Sequence, residues 1–325
     1  MEWYHILLII IGAILVLFVI PLFISSFFAF NWIFKRKEGE GKFEDMDLSL
    51  TPYKPYETEI KEAIKFFKSL TPEEVTVKSH DGLRLKGYYY NNNSETTVLF
   101  VHGYRACPFN NFSTVGKKMY DEGFNVFFID QRAHNNSEGK YTTFGIKEHR
   151  DVQTWLYKIN DFYRPKNIIL YGLSMGCASS EMALGLNLPS NLKVAILDCG
   201  FRDVFSLMMY QTQRRIKINP YLSVKIMNLY AKIFAGFDMN ETRSDESLKK
   251  AKVPCLFIHG KNDDVVPFSH GQANYEACNS KKDSIFLDGV DHARCYYAGG
   301  EELERKLMSF INEALKDEGE NEKIN

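Results

Sequence analysis

A serine between two glycines is the first candidate for chemistry in this sequence of 325 residues. The segment Gly172-Leu173-Ser174-Met175-Gly176 directly follows the apolar run 168–171 and directly precedes an amphipathic stretch, which predicts a strand, a sharp turn and a helix. This is the setting of a nucleophile elbow, in which the turn exposes the serine hydroxyl and the helix directs N–H groups at it. The pattern also arises by chance, so the prediction depends on the residues that would activate Ser174.

A serine hydroxyl is a poor nucleophile unless a base removes its proton as it attacks. In a strand–turn–helix site of this kind the acid and the histidine follow the serine in that order. His292 comes after the apolar stretch 285–287 and before the last predicted helix, so we expect it to be the base. His270 falls within a predicted helix, 269–277, and is expected on the surface.

Three aspartates could orient the histidine. Asp263 and Asp264 follow the predicted strand 255–258, and Asp198 ends the preceding predicted strand. A carboxylate in such a position accepts the imidazole Nδ1–H and stabilises the imidazolium that forms during attack. Spacing leaves all three open, and Asp198 could instead cap or close its loop.

An oxyanion hole is also required, because negative charge develops on the substrate carbonyl oxygen in the tetrahedral intermediate. We expect one donor to be the backbone N–H of Met175, which directly follows the nucleophile. The second is expected from the loop after the first parallel strand, 98–101, where the N–H of Tyr104 is suitably placed. His102, next to Gly103, is expected to shape this loop through hydrogen bonds.

The elements that would position these residues alternate along the chain. An antiparallel hairpin of strands 75–78 and 83–90 is predicted first, with Asp81-Gly82 as its turn. Continuous apolar runs follow, as expected for parallel strands covered on both faces: 98–101, 126–129, 168–171, 194–197 and 255–258. We therefore expect an α/β fold, a mostly parallel sheet with helices on both faces. The segment 201–250 has no strand pattern and predicts a helical insertion.

The N-terminus predicts a membrane anchor. Residues 6–30 contain no charge, and about 20 apolar residues suffice to cross a bilayer as a helix. Residues 1–5 contain neither Lys nor Arg and the apolar run is long, which disfavours a cleaved signal peptide. Lys35, Arg36 and Lys37 follow the segment, so the positive-inside rule places the catalytic domain on the cytoplasmic side.

The charge balance and the cysteines exclude some classes of function. Lys and Arg total 40 against 41 Asp and Glu, which gives no basic excess for nucleic-acid binding. The six cysteines show no zinc-site spacing and are expected to be buried free thiols, so neither a metal nor a cofactor is implied. The expected organisation is an anchor and its flank at 1–34, a linker and leading helix at 35–74, and a catalytic domain at 75–325 with a lid at about 201–250. Within this organisation, residues 38–55 are expected to form a polar linker and residues 316–325 a frayed tail.

Taken together, the chain resembles the α/β-hydrolase superfamily, and within it bacterial membrane-anchored members related to the monoacylglycerol lipase and serine aminopeptidase-like group. The matching motifs are His102-Gly103, Asp130-Gln131-Arg132-Ala133-His134, Gly172 to Gly176, Gly260-Lys261-Asn262-Asp263, Val266-Pro267 and His292. The resemblance implies Asp263 as the acid and a lid at the helical insertion. The chain departs from the pattern at Ala133 and Asn135, where glycines are usual, and at Tyr104-Arg105, which is bulkier and more charged than is usual.

The expected function is a membrane-anchored serine hydrolase. It would cleave a carboxylic ester with a lipophilic acyl group through an acyl-enzyme on Ser174, with a small acyl compound as substrate and membrane lipid around the anchor. An acyltransferase or a serine peptidase would use the same three residues. An inactive membrane scaffold is the alternative from a different class, and the presence of serine, histidine and acid together argues against it.

Overall fold

The computed structural model describes residues 2–37, 53–216 and 219–316. The predicted polar linker therefore lies outside the described residues except for 53–55, and the predicted tail lies outside them except for residue 316. The chain begins with a continuous helix, Trp3–Phe34, made of α1 (Trp3–Ile14), a π-helical segment (Leu15–Val19) and α2 (Ile20–Phe34). Within the described residues it is the one helix long and apolar enough to cross a membrane.

In the part of the chain that the structure describes, eight strands form a single sheet in the order β1-β2-β4-β3-β5-β6-β7-β8. Their bounds are β1 Glu73–Lys78, β2 Arg84–Tyr90, β3 Thr96–Val101, β4 Asn125–Ile129, β5 Asn167–Leu173, β6 Leu192–Asp198, β7 Cys255–Gly260 and β8 Lys282–Leu287. β2 is antiparallel to both β1 and β4, and all other pairs are parallel. The predicted hairpin and the predicted parallel strands are confirmed.

Burial along the strands explains this arrangement. In β3, β4 and β7 every residue is buried, because helices cover both faces of the sheet, whereas the edge strand β1 alternates. The α-helices that follow in the described residues are α3 (Glu57–Ser69), α4 (Pro108–Asp121), α5 (Glu148–Lys158), α6 (Met175–Ala183), α7 (Val204–Ile216), α8 (Tyr221–Tyr230), α9 (Ser244–Leu248), α10 (Phe268–Ala277) and α11 (Cys295–Lys316). α3, α4 and α11 supply the core on one face, and α5, α6 and α9 on the other. This is the α/β-hydrolase fold.

The segment between β6 and β7 is helical. It contains α7, α8, a π-helical turn (Ala231–Ala235) and α9. Apolar side chains of α7 and α8 form a third buried cluster with residues that follow β4 and with Met175 of α6. The segment therefore packs over the end of the sheet where the elbow lies.

The same cluster contains the end of the N-terminal helix. Phe30 and Phe34 are fully buried in it, whereas residues 2–13 and 15–20 are exposed. Directly after the helix, the guanidinium of Arg36 donates to the carbonyl oxygens of Ser137 (2.6 Å) and Asn135 (2.5 Å). The predicted boundary at residue 34 is therefore not a break in packing, because the helix end and the basic residues after it are bound to the catalytic domain.

Two further expectations concern burial. All six cysteines are buried free thiols, as predicted. The surface prediction for His270 is wrong: it lies in α10 but is buried, and its Nδ1 accepts the backbone N–H of Arg202 at 3.1 Å. Burial lowers the pKa of its imidazole to about 4. The helical pattern of residues 269–277 places His270 on a helix. It does not show that the loop before α7, which contains Arg202, covers that side of the helix.

Candidate active site

The backbone at Ser174 is held in a strained conformation. Ser174 has φ 55° and ψ −116°, between the end of β5 and the start of α6. A β-carbon added at Gly172 would lie 2.6 Å from the carbonyl oxygen of Gly176, and one added at Gly176 would overlap the carbonyl oxygen of Val101. The two glycines therefore let strand and helix pass close to β3, and the turn lifts the serine side chain out of the sheet.

Ser174, His292 and Asp263 form one hydrogen-bonded chain. The hydroxyl of Ser174 donates to Nε2 of His292 at 2.8 Å, and Nδ1 of His292 donates to Oδ2 of Asp263 at 2.7 Å. These bonds hold the imidazole in the tautomer with its proton on Nδ1, so that Nε2 can accept the serine proton. Three residues that are distant in the sequence thus meet in the order required of a nucleophile, a base and an orienting acid.

The structure distinguishes the three candidate acids. Oδ1 of Asp263 accepts the backbone N–H groups of Val265 (2.9 Å) and Val266 (2.8 Å), which leaves Oδ2 facing His292. The side chain of Asp264 points away from the site, is 61% exposed and pairs with Arg214 at 2.8 Å. Asp198 contributes its backbone carbonyl, which accepts the N–H of Ser174 at 2.8 Å.

A second histidine contacts the same acid, and sequence reasoning missed it. Nε2 of His259 lies 3.3 Å from Oδ2 of Asp263 and 3.0 Å from the carbonyl oxygen of Val266. Burial alone would raise the pKa of the Asp263 carboxyl, but hydrogen bonds from His259 and His292 hold it well below its usual range. The available signal was the place of His259 at the end of β7, directly before the loop that carries Asp263.

The two predicted oxyanion donors lie beside the serine. Met175 is the first residue of α6, and Tyr104 follows β3; both line the same cavity as Ser174. His102 fixes the Tyr104 loop: its Nδ1 donates to the carbonyl oxygen of Gly103 (2.8 Å), and its Nε2 accepts the N–H of Gln131 (3.0 Å). Burial lowers the pKa of His102 to about 3, which keeps the ring neutral and allows both bonds.

The turn after β4 keeps its shape despite its unusual residues. Ala133 and Asn135 have φ of 60° and 42°, the left-handed conformation that glycines would provide at lower cost. The amide of Asn135 donates to the carboxylate of Asp130 (3.1 Å) and the carbonyl of Ala106 (3.2 Å). These bonds tie the turn to the oxyanion loop.

Ser174 lies in a cavity of about 640 Å³. Aromatic and aliphatic side chains supply most of its lining, and the charged side chains on it are Arg105 and Arg215. A volume of this size holds one small-molecule ligand. Its walls come from the oxyanion loop, from α7, from Val265 and Val266 beside the acid, and from the N-terminal helix.

Two groups of side chains have metal-ligand spacing among the described residues. In one, the Cys199 thiol lies with Asp263 and His292, but the acid and the histidine are already bonded to each other and burial raises the pKa of the thiol far above its usual range. In the other, Asp81 and Asp151 lie with His80, but both carboxylates bind the guanidinium of Arg132. Either group would have to lose these bonds to hold an ion.

Comparison with known proteins places the chain in a family. The profile of the prolyl oligopeptidase family matches residues 110–318, which is more than half of the chain and includes all three hydrogen-bonded residues. The chain belongs to this family. Its fold and relatives place it more broadly in the α/β-hydrolase superfamily, as the sequence motifs indicated.

Relatives of this hydrolase include proteins of animals and yeast. It is 25% identical over 232 residues to human alpha/beta hydrolase domain-containing protein 17B, which covers 69% of this chain and 68% of the human protein. It is 24% identical over 221 residues to the membrane protein YNL320W of Saccharomyces cerevisiae, covering 66% and 70% of the two chains. Among solved structures, the Pyrococcus furiosus esterase Pf2001 superposes with a TM-score of 0.63 at 23% identity, covering 78% of this chain and 93% of the esterase.

Proposed function

We propose that this hydrolase is a membrane-anchored serine esterase whose substrate carries a lipophilic acyl group. The observation that carries the proposal is the chain of hydrogen bonds from Ser174 through His292 to Asp263, together with the place of Ser174 on the wall of a largely apolar cavity. The names of the esterase Pf2001 and the yeast membrane protein agree with the chemistry and the location.

The proposed reaction has two halves. Oγ of Ser174 attacks the acyl carbonyl carbon while Nε2 of His292 takes the hydroxyl proton, and the N–H groups of Tyr104 and Met175 bind the oxyanion. Collapse of this intermediate breaks the ester C–O bond, and the leaving alcohol takes the proton from His292. Water then attacks the acyl-enzyme with His292 as base, which releases the carboxylic acid and restores Ser174. Asp263 keeps Nδ1 of His292 protonated and stabilises the imidazolium.

The membrane part of the proposal has two supports. The helix Trp3–Phe34 is long and apolar enough to span, and its first half is exposed. Lys35, Arg36 and Lys37 follow it on the side of the catalytic domain, which favours a cytoplasmic position for that domain. The same basic residues also bind the domain, through Arg36, so their charge has a structural use as well.

The test is an assay of the full chain in phosphatidylcholine vesicles. Hydrolysis of p-nitrophenyl butyrate and labelling by a fluorophosphonate probe are compared between the wild type, Ser174→Ala and the exposed, remote control Ser190→Ala. We expect both signals to vanish in Ser174→Ala and to persist in the control. Labelling without ester turnover would favour the acyltransferase or peptidase alternative, and a folded chain with neither signal would favour the inactive scaffold.

A further inference from the structure

The N-terminal helix forms part of the cavity that contains Ser174. Five residues on one stripe of α2 line it: Leu22, Ser25, Ala29, Trp32 and Ile33. Each of these residues lies three or four positions after an earlier one, which keeps all five on one helix face. Opposite them stand α7, the oxyanion loop and Val265. A helix expected only to anchor the domain is therefore one wall of the candidate substrate site.

This wall is firmly attached to the domain. The hydroxyls of Ser26 and Ser223 share a hydrogen bond of 3.1 Å, and Tyr230 donates to the carbonyl oxygen of Phe23 at 3.2 Å. Tyr104, whose N–H is an expected oxyanion donor, donates its hydroxyl to the carbonyl oxygen of Ile33 at 2.6 Å. The helix thus contacts both the α7–α8 segment and the oxyanion loop.

The length of the helix places the part of the cavity lined by Leu22 at the membrane boundary. The helix has 32 residues, whereas about 20 suffice to cross the hydrocarbon core. Counted from Trp3, about 20 residues reach Leu22, which is the first helix residue on the cavity. The part of the helix beyond Leu22 is therefore the part that leaves the bilayer and packs on the domain.

Apolar side chains are also exposed on α8 beside the membrane helix. On α8 and the turn after it, Leu222, Leu229 and Ile233 are exposed at spacings of seven and four residues, and the exposed lysines Lys225 and Lys232 lie between them. Phe234 continues this surface and packs against Phe27 of α2, with ring centroids 5.7 Å apart. The exposed apolar face is thus continuous with the membrane helix, and acyl chains of the bilayer are the occupant that this continuity favours.

We infer that the cavity takes a single-chain acyl ester directly from the bilayer, between α2 and the α7–α8 segment. The acyl chain lies along the α2 stripe, where the small side chains of Ser25 and Ala29 set the width of the site, and its carbonyl reaches Ser174. This inference rests on the proposed esterase function. It makes the membrane helix a determinant of acyl-chain selectivity as well as an anchor.

The test uses substitutions on α2 that make the cavity narrower. Ala29→Leu and Ser25→Leu are prepared as full chains in phosphatidylcholine vesicles, with Gly12→Leu as the control, because a side chain at Gly12 meets open space on the exposed part of the same helix. The ratio of kcat/KM for p-nitrophenyl dodecanoate to that for p-nitrophenyl acetate is measured. We expect the ratio to fall about 10-fold or more in the two cavity variants, since a few methylenes in an apolar site change rates by that amount.

The outcomes separate the inference from the proposed function. An unchanged ratio in both cavity variants, with normal fluorophosphonate labelling of Ser174, would overturn the inference and leave the esterase standing. Loss of labelling in the wild type would overturn both. As a second measurement, phosphatidylcholine is added while the bulk concentration of ester is kept constant, so that only the mole fraction of ester in the bilayer falls. A rate that falls with this mole fraction supports access from the membrane. A rate that stays constant contradicts it.

Discussion

The contacts of Asp263 predict what happens when its carboxylate is replaced by an amide. All of its hydrogen-bond partners are donors: Val265 and Val266 to Oδ1, and His292 and His259 to Oδ2. In Asp263→Asn one of the two positions becomes an NH₂ group. Turning that group toward Val265 and Val266 would leave both N–H groups without their acceptor, at about 1–3 kcal/mol for the buried one of Val266. The NH₂ group therefore faces His292.

An NH₂ group in this position changes the tautomer of the base. His292 must then accept at Nδ1 and carry its proton on Nε2, which faces the hydroxyl of Ser174 and can no longer take its proton. In a triad of this geometry the same substitution lowers kcat by about 10⁴-fold. At about 1.36 kcal/mol for each factor of ten, the loss corresponds to about 5.4 kcal/mol of barrier.

The assay compares Asp263→Asn with Asp264→Asn in the full chain. The neighbour is a matched control, because the side chain of Asp264 is exposed and paired with Arg214. We expect the kcat for p-nitrophenyl butyrate and the rate of fluorophosphonate labelling to collapse together in the first variant and to stay near the wild-type values in the second. Thermal unfolding of both variants shows whether the fold is retained.

Two results would refute this reasoning. One is a folded Asp263→Asn variant that keeps a tenth or more of the wild-type kcat, which would mean that His292 is oriented by another group. The other is an equal loss in Asp264→Asn, which would mean that the loop carries the acid one residue later than the hydrogen bonds indicate.

Three further predictions concern the fold around the site. Gly176→Ala brings a β-carbon onto the Val101 carbonyl, so we expect little folded protein by thermal unfolding, whereas Gly12→Ala, in open space, unfolds as the wild type does. Phe34→Ala removes a fully buried ring and should lower the free energy of unfolding by about 3–5 kcal/mol, against little change for Phe28→Ala, whose ring is 68% exposed. Burial raises the pKa of Asp198 to about 7, above its unfolded value of about 3.9, so the protonated acid is favoured in the fold and stability falls as pH rises from about 4 to 7. Asp198→Asn should therefore gain stability over the wild type across that range, by at most about 4 kcal/mol at pH 8, and unfolding temperatures that differ equally at pH 4 and pH 8 would contradict this.

Local patterns in the sequence predicted much of the site. The glycines around Ser174 and the apolar run before it indicate the elbow, because a strand entering a helix through so tight a turn needs glycine at both flanks. His292 was identified by its place between an apolar run and the last helix. The strands of the sheet were predicted because a strand covered on both faces is a continuous apolar run, which is a property of neighbouring residues.

Only the tertiary structure decided which of two neighbouring residues is the acid and which segments distant in the sequence are in contact. Asp263 and Asp264 differ by one position, and the loop that turns one carboxylate onto His292 and the other to solvent is held by bonds to Val265 and Val266. The burial of His259 and His270 depends on segments that cover them from elsewhere in the chain. The use of the membrane helix as a cavity wall depends on contacts such as Ser26 with Ser223, which are 197 residues apart. Hydropathy shows that a helix can enter a bilayer; which of its faces meets the domain is set by the packing of both partners.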